Sequence, residues 1–164
     1  VATDRALVRQ AFYDRIESDN AFYQYYGGLE DTEIQAIADE RANTYIKEAI
    51  TLLKRKCETD LTFAIDEETD DFLEDLTDEE IQLIGGDLAF EVYIARDVAK
   101  MKTRINTFTS SDLKALHSPA NERRSFMEMY ESLRLQNLAK ISDYAARDRS
   151  TGRFKSVNVD GVDS

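Results

Sequence analysis

The sequence contains one proline, Pro119, and it stands directly after Ser118 at the head of a long apolar stripe. A serine side chain can cap free backbone N–H groups, and a proline at the first helical position has no N–H to leave unpaired. Phe126, Tyr130, Leu133, Leu138, Ile141 and Ala145 then recur at helical spacing. The pattern predicts a helix from 119 to about 149, ending before Gly152. At about 1.5 Å per residue it is some 45 Å long, which makes it the backbone of the fold.

Two more long helices are expected. Thr32 and Gln35 have the spacing of a capping box, and Ile34, Ile37, Tyr45, Ile46, Ala49, Ile50 and Leu53 follow as a stripe to about Cys57. Lys54-Arg55-Lys56 falls in the last turn, where positive charge complements the negative end of the helix dipole. Thr77 and Glu80 repeat the capping spacing ahead of Ile81, Ile84, Leu88, Val92, Ala95 and Ala99, a helix over about 78–103. Gly85-Gly86 interrupts it. Each glycine costs about 1 kcal/mol relative to alanine, so a kink or a close helix crossing is expected there.

Shorter elements complete the pass. A first helix is predicted from Thr3 or Asp4 to Ile16, with Leu7, Val8, Ala11, Phe12 and Ile16 inward, and another around Leu113–His117. Phe22, Tyr23, Tyr25 and Tyr26, closed by Gly27-Gly28, read as a linker packed down by its rings; no basic residues stand between them to make a base-stacking groove. Leu61-Thr62-Phe63-Ala64-Ile65 alternates as a strand would and is expected to be extended or a short hairpin. From Ser150 the helical stripe is lost, and valine alternates with polar residues up to Val162. The expected fold class is all-α: a helical bundle with three long helices, short connecting helices and an extended C-terminal arm. Residues 1–149 form the helical domain and 150–164 the arm. Such an alternating arm cannot bury a face without a partner strand or groove, so Phe154, Lys155, Val157, Val159 and Val162 are the candidate protein-interface residues.

Charge narrows the partners. The net charge is −12, unevenly spread: 25 acidic against 9 basic residues in 1–99, a net −16, and 8 against 12 in 100–164, a net +4. An acidic chain of this kind is a poor ligand for phosphate, and its bipolar field suits alignment of neighbouring copies. Twelve acidic residues lie between Glu58 and Glu80, a segment expected to be exposed or to face cations. No run approaches the roughly 18 apolar residues of a membrane span. The start Val-Ala-Thr-Asp lacks a secretory pattern, and the single Cys57 allows no internal disulfide, so synthesis in a reducing cytosol is expected.

Catalytic and metal motifs are weak. Aligned as a calcium loop, Asp66-Glu67-Glu68-Thr69-Asp70-Asp71 puts Asp71 where the turn needs glycine and Thr77 where a bidentate glutamate belongs. Asn158, Asp160 and Gly161 match only a fragment of such a loop, with Ser156 at its opening position. Cys57 and His117 would make a nucleophilic pair only by meeting in space. Glycine-rich phosphate loops and nucleophile elbows do not occur. The expectation is therefore no enzyme, no cofactor and no metal.

Leu76-Thr77-Asp78-Glu79-Glu80 opening one long helix, a polar break, and Ser118-Pro119-Ala120-Asn121 opening a last helix that ends near Tyr144 form a recognisable order. Over Leu76–Tyr144, under half of the chain, the sequence resembles the small helical head-to-tail connector (neck, or adaptor) proteins of tailed bacteriophages. The segment from Val1 to about Cys57 has no place in that pattern. The resemblance implies a virion protein made in the host cytoplasm. It implies a homo-oligomeric, dodecameric ring docked beneath the portal protein and among other neck or tail proteins, with no membrane contact. Its arms would reach the portal or neighbouring subunits, and DNA would pass through the channel without specific binding. The alternative from charge alone is an acidic cytosolic protein-binding or inhibitory module. A small helical enzyme with a pocket of Tyr, Asp and Glu is a third class.

Overall fold

A computed structural model describes residues 2–16, 28–96 and 119–155. Asp4 caps the first helix, α1 (Arg5–Arg15), by accepting the Ala6 N–H at 2.8 Å. Val8, Ala11, Phe12 and Ile16 are buried as their spacing requires, whereas Leu7 faces solvent. Burying a side chain such as Phe12 contributes about 1.5–3 kcal/mol, which anchors a short helix that could not stand alone.

Helix α2 (Asp31–Lys56) starts one residue before the expected cap. Its cap is Glu30, whose N–H donates to the Glu33 carboxylate at 3.3 Å; Thr32 lies inside the first turn, and the Gln35 amide donates to Asp39 at 2.8 Å. A carboxylate in the first turn also meets the positive end of the helix dipole, so Glu33 has two reasons to hold that place. The buried stripe is Ala38, Ala42, Tyr45, Ile46, Ala49, Ile50 and Leu53.

The third long helix is the hub. Thr77 and Glu80 make the expected reciprocal cap, opening α3 (Asp78–Ile81). It passes without a break into a π-helical stretch, Gln82–Leu88, and the chain stays helical over 89–96. In the wider turn the Ala89 N–H donates to the Ile84 carbonyl, five residues back. Gly85 faces α1, and a Cβ there would stand 2.3 Å from the Val8 carbonyl oxygen and 3.0 Å from Ala11 Cβ. The close crossing expected at the glycine pair is present, and the π bulge accompanies it. Helix α4 (Pro119–Ala146) packs antiparallel to this hub, with Leu133, Ile141 and Tyr144 buried and Phe126 and Tyr130 half-covered. It ends three residues before the predicted 149.

An all-α reading needs one correction. The chain is mostly helical but carries a small antiparallel sheet in the order β1 (Thr3–Asp4), β3 (Asp71–Phe72), β2 (Ile65–Asp66). Three two-residue strands are held by what flanks them: Phe72 is fully buried, and the Leu76 N–H donates to Thr3 Oγ1 at 2.8 Å. The sheet ties the chain's start to the middle. Among the described residues, no helix is long and apolar enough to cross a membrane.

Candidate functional site

The acidic segment is a built structure. Residues 65–72 form a hairpin whose tip is tied by the Asp70 N–H on the Asp66 carbonyl and the Glu68 N–H on the Asp66 carboxylate, both at 2.9 Å. Asp70 adopts φ +62°, a left-handed conformation that Asp tolerates better than most residues. Its carboxylate takes both Arg5 and Arg9, the latter at 2.7 Å, and Arg9 also reaches Asn43 at 3.2 Å. Burial pushes the Asp70 carboxyl up, but the Arg9 hydrogen bond and the two guanidinium charges outweigh it and hold it below the usual range. The residue that would have been a calcium ligand is therefore occupied by arginines. Among the described residues, no three His, Cys, Asp or Glu side chains converge as a metal site requires.

Glu74 serves the same segment differently. It accepts the N–H groups of Thr62 at 2.8 Å and Phe63 at 2.6 Å, fixing Phe63 at φ +54° with its ring buried. Partial burial raises its carboxyl, and the two backbone donors lower it further than that, so it sits below the ordinary value. Glu58, Asp60, Glu67, Glu68, Asp75, Asp78 and Glu79 are exposed and Asp70 and Glu80 face arginines, as expected of this segment, whereas Glu74 departs from the expectation by binding backbone N–H groups.

Glu80 is the strongest such case, with no surface exposed to solvent. Arg149 grips it with Nη2 at 2.7 Å and Nε at 3.1 Å, Thr77 donates its N–H at 2.8 Å, and the Tyr144 hydroxyl donates to the other oxygen. Desolvation raises the Glu80 carboxyl, but Arg149, Thr77 and Tyr144 together bring it below its usual value. Burial, then the hydrogen bond to Glu80 and its charge, raises the Tyr144 hydroxyl. The cluster joins the start of the hub to the end of α4.

A second polar cluster lies farther along the same contact. Asn137, almost fully buried, donates to the Asp87 carbonyl at 3.1 Å and to Glu91 at 3.3 Å, and Lys140 pairs with Asp87 at 2.9 Å. The Asn137 amide oxygen has no partner among the described residues, a cost of about 1–3 kcal/mol. Burial raises the Glu91 carboxyl against the opposing Asn137 bond and the Arg134 and Lys56 charges. Sequence reasoning passed over both residues. The signal was present in Asn137, which stands four residues from Leu133 and four from Ile141, on the buried stripe itself.

Of the candidate interface residues, Phe154 and Lys155 are described and Val157, Val159 and Val162 lie outside the described residues. Residues 147–155 do not run straight outward. Arg147 and Phe154 form an antiparallel bridge, the Lys155 N–H donates to the Ala146 carbonyl at 2.8 Å, and Asp148 and Gly152 close the turn between them. Phe154 is 65% exposed with the Arg147 guanidinium 4.2 Å above its ring. Hydrogen bonds thus seat the Phe154 and Lys155 backbone on the subunit, while the Phe154 ring faces outward. The Cys57 thiol is half-buried and pushed up by burial against the pull of Lys155, which disfavours the reactive thiolate. His117 and the cluster Phe22, Tyr23, Tyr25 and Tyr26 lie outside the described residues.

Comparison with known proteins identifies no relative. No protein-family model matches the chain, and no curated protein or solved structure matches it.

Proposed function

We propose that the chain is a structural assembly protein of a tailed bacteriophage virion, a head-to-tail connector forming a ring beneath the portal. The observation that carries this reading is the seating of Phe154. An aromatic side chain, 65% exposed, is held by backbone hydrogen bonds at the foot of the alternating segment that begins at Ser156. Aromatic anchors dominate interface energetics, and an alternating strand adds to a neighbour through backbone bonds and alternate side-chain pockets. The stretch that resembles connectors, Leu76–Tyr144, takes in the hub and α4, clamped by Glu80 and Asn137. In this reading the helices form a bundle of three long helices with short connecting helices, and 150–164 serves as the arm. Exposed carboxylates such as Glu67, Glu68, Asp78 and Glu79 suit a channel that must pass DNA without holding it.

Those same carboxylates favour a second reading, an acidic module that occupies a basic site on a cytosolic partner. Size separates the two. Purified chain is examined by mass photometry and negative-stain electron microscopy, alone and with a tailed-phage portal protein. Rings, or a stoichiometric complex capping the portal, support the connector. A particle that remains monomeric under both conditions overturns it.

A further inference from the structure

Glu80, Asp87 and Glu91 stand seven and four residues apart along the hub, and all three meet α4 or the turn that follows it. Carboxylates therefore fasten much of this seam. They are of two kinds, divided at Asn137.

Beyond Asn137, toward the turn, the core side chains of α4 are Ile141 and Tyr144. The other fastenings there are charged: Lys140 on Asp87 at 2.9 Å, and Arg149 on Glu80 at 2.7 and 3.1 Å. Arg149 also donates to the Asp75 carbonyl at 2.7 Å, and Glu74 acts on it through space as Glu79 does on Arg147. A guanidinium gripping a fully buried carboxylate needs that carboxylate ionised, because the protonated acid offers it less acceptor capacity and no charge. Before Asn137 the hold is different. Asn137 donates to Glu91 at 3.3 Å and to the Asp87 carbonyl at 3.1 Å, and a neutral Glu91 still accepts that bond. Burial favours the neutral Glu91 against the pull of Asn137, Arg134 and Lys56, with the Tyr130 hydroxyl near it, so loss of charge costs this contact little.

Residues 147–155 ride on the charged side. Arg147 bridges to Phe154, the Lys155 N–H holds the Ala146 carbonyl, and Lys155 stands close enough to Cys57 to draw its thiol down against burial. The single cysteine of the sequence thus marks whether this end is closed.

We propose that residues 138–155 form a clasp that a proton on Glu80 opens, undocking from the hub as one unit while α4 stays fastened at Asn137. The closed form favours ionised Glu80, so the open form takes the proton more readily; the clasp is shut at neutral pH and opens as pH falls through the closed-form value. The opening stands apart from the assembly reading. Its consequence rests on that reading, because the Phe154 anchor keeps a fixed pose only while the clasp is shut.

The test uses the whole chain. Glu80→Gln keeps the size of the side chain and removes its charge, so at pH 7 it stands in for the protonated form. Hydrogen exchange followed peptide by peptide is expected to rise about tenfold over 138–155 and to stay unchanged over 31–56 and 128–136. Cys57 should react about tenfold faster with a thiol reagent in the same variant, and Glu91→Gln, on the other side of Asn137, should move neither readout. Taking the unaltered chain from pH 7 to pH 3.5 should open residues 138–155 first, once exchange is corrected for its intrinsic pH dependence. Unchanged exchange in Glu80→Gln overturns the clasp, and so does a rise spread evenly along the chain. If Glu80→Gln does not fold, the acid titration decides: protection lost everywhere together makes Glu80 part of the common core and removes the clasp. A clasp that opens while rings or portal binding persist keeps the device and removes its link to assembly. An unaltered chain that never assembles removes the assembly reading and leaves the clasp to the exchange data.

Discussion

Gly85 and Gly86 are neighbours with opposite tolerances. Alanine at either would gain about 0.5–1 kcal/mol of helix propensity. At Gly85 the added methyl would press on the Val8 carbonyl at 2.3 Å, a backbone atom that cannot yield without moving α1. Gly85→Ala is therefore expected to destabilise by about 1–3 kcal/mol. At Gly86 the nearest atom is the Gln82 Oε1 at 3.1 Å, the end of a flexible side chain, so Gly86→Ala should be neutral or slightly stabilising. Urea titration of both variants decides this, and equal losses would show that the crossing is not tight. The two buried glutamates also diverge. Glu80 is held below its ordinary value, so its contribution is present above the unfolded-state value and disappears as pH falls through the folded one. Glu80→Gln should cost about 2–4 kcal/mol at pH 7 and much less at pH 3, the range trimmed because the partner Arg149 is 40% exposed. Glu91 is raised, so the folded state binds the extra proton and stability falls as pH rises through its folded value. Glu91→Gln should stabilise near neutrality and lose that advantage below the ordinary carboxylate range. From pH 3 to 8 the melting temperature relative to the unaltered chain should fall for Glu80→Gln and rise for Glu91→Gln, and differences that run in parallel would refute the assignment.

At the scale of elements, legibility followed the range of the forces involved. Helix starts are local, so Asp4, Thr77 with Glu80, and Pro119 were readable from a few residues each. The Leu133 and Ile141 face was readable from period alone and is buried. Leu133→Ala is accordingly expected to cost about 2–5 kcal/mol, and Leu135→Ala, two residues on and 58% exposed, under about 0.5 kcal/mol. Denaturant midpoints compare them directly. The sheet was not readable as a sheet, because strands of two residues carry no period and β1 pairs with β3 from nearly 70 positions away. Only the alternation at Leu61–Ile65 hinted at it. The carboxylates were harder still. Nothing in a run of like charges tells Glu67, which faces water, from Asp70, which faces two arginines brought in by α1. Their roles depend on tertiary contacts. The proposed interface was legible as a composition change at Ser150, but the turn that seats Phe154 on Arg147 was not, since it depends on where α4 stops.

For the whole molecule, the seating of Phe154 changes where an assembly test should cut. Removing everything after Thr151 would also remove the bridge to Arg147 and loosen the turn beside Arg149, which grips buried Glu80. A loss of assembly in that variant would then confound the arm with the fold. A chain ending at Lys155 keeps the turn, the Lys155 bond to the Ala146 carbonyl and the Phe154 ring over Arg147. It removes Val157, Val159 and Val162 together. Because no described core residue lies beyond Tyr144, its melting temperature should stay within about 2 °C of the full chain, while ring formation or portal binding falls at least tenfold. A second variant, Phe154→Ala in the full chain, isolates the anchor. It should weaken assembly by the roughly 2 kcal/mol of an aromatic interface residue and leave melting unchanged. If the shortened chain melts much lower, residues 156–164 belong to the subunit's own core. If it melts and assembles as the full chain does, subunits join through other surfaces.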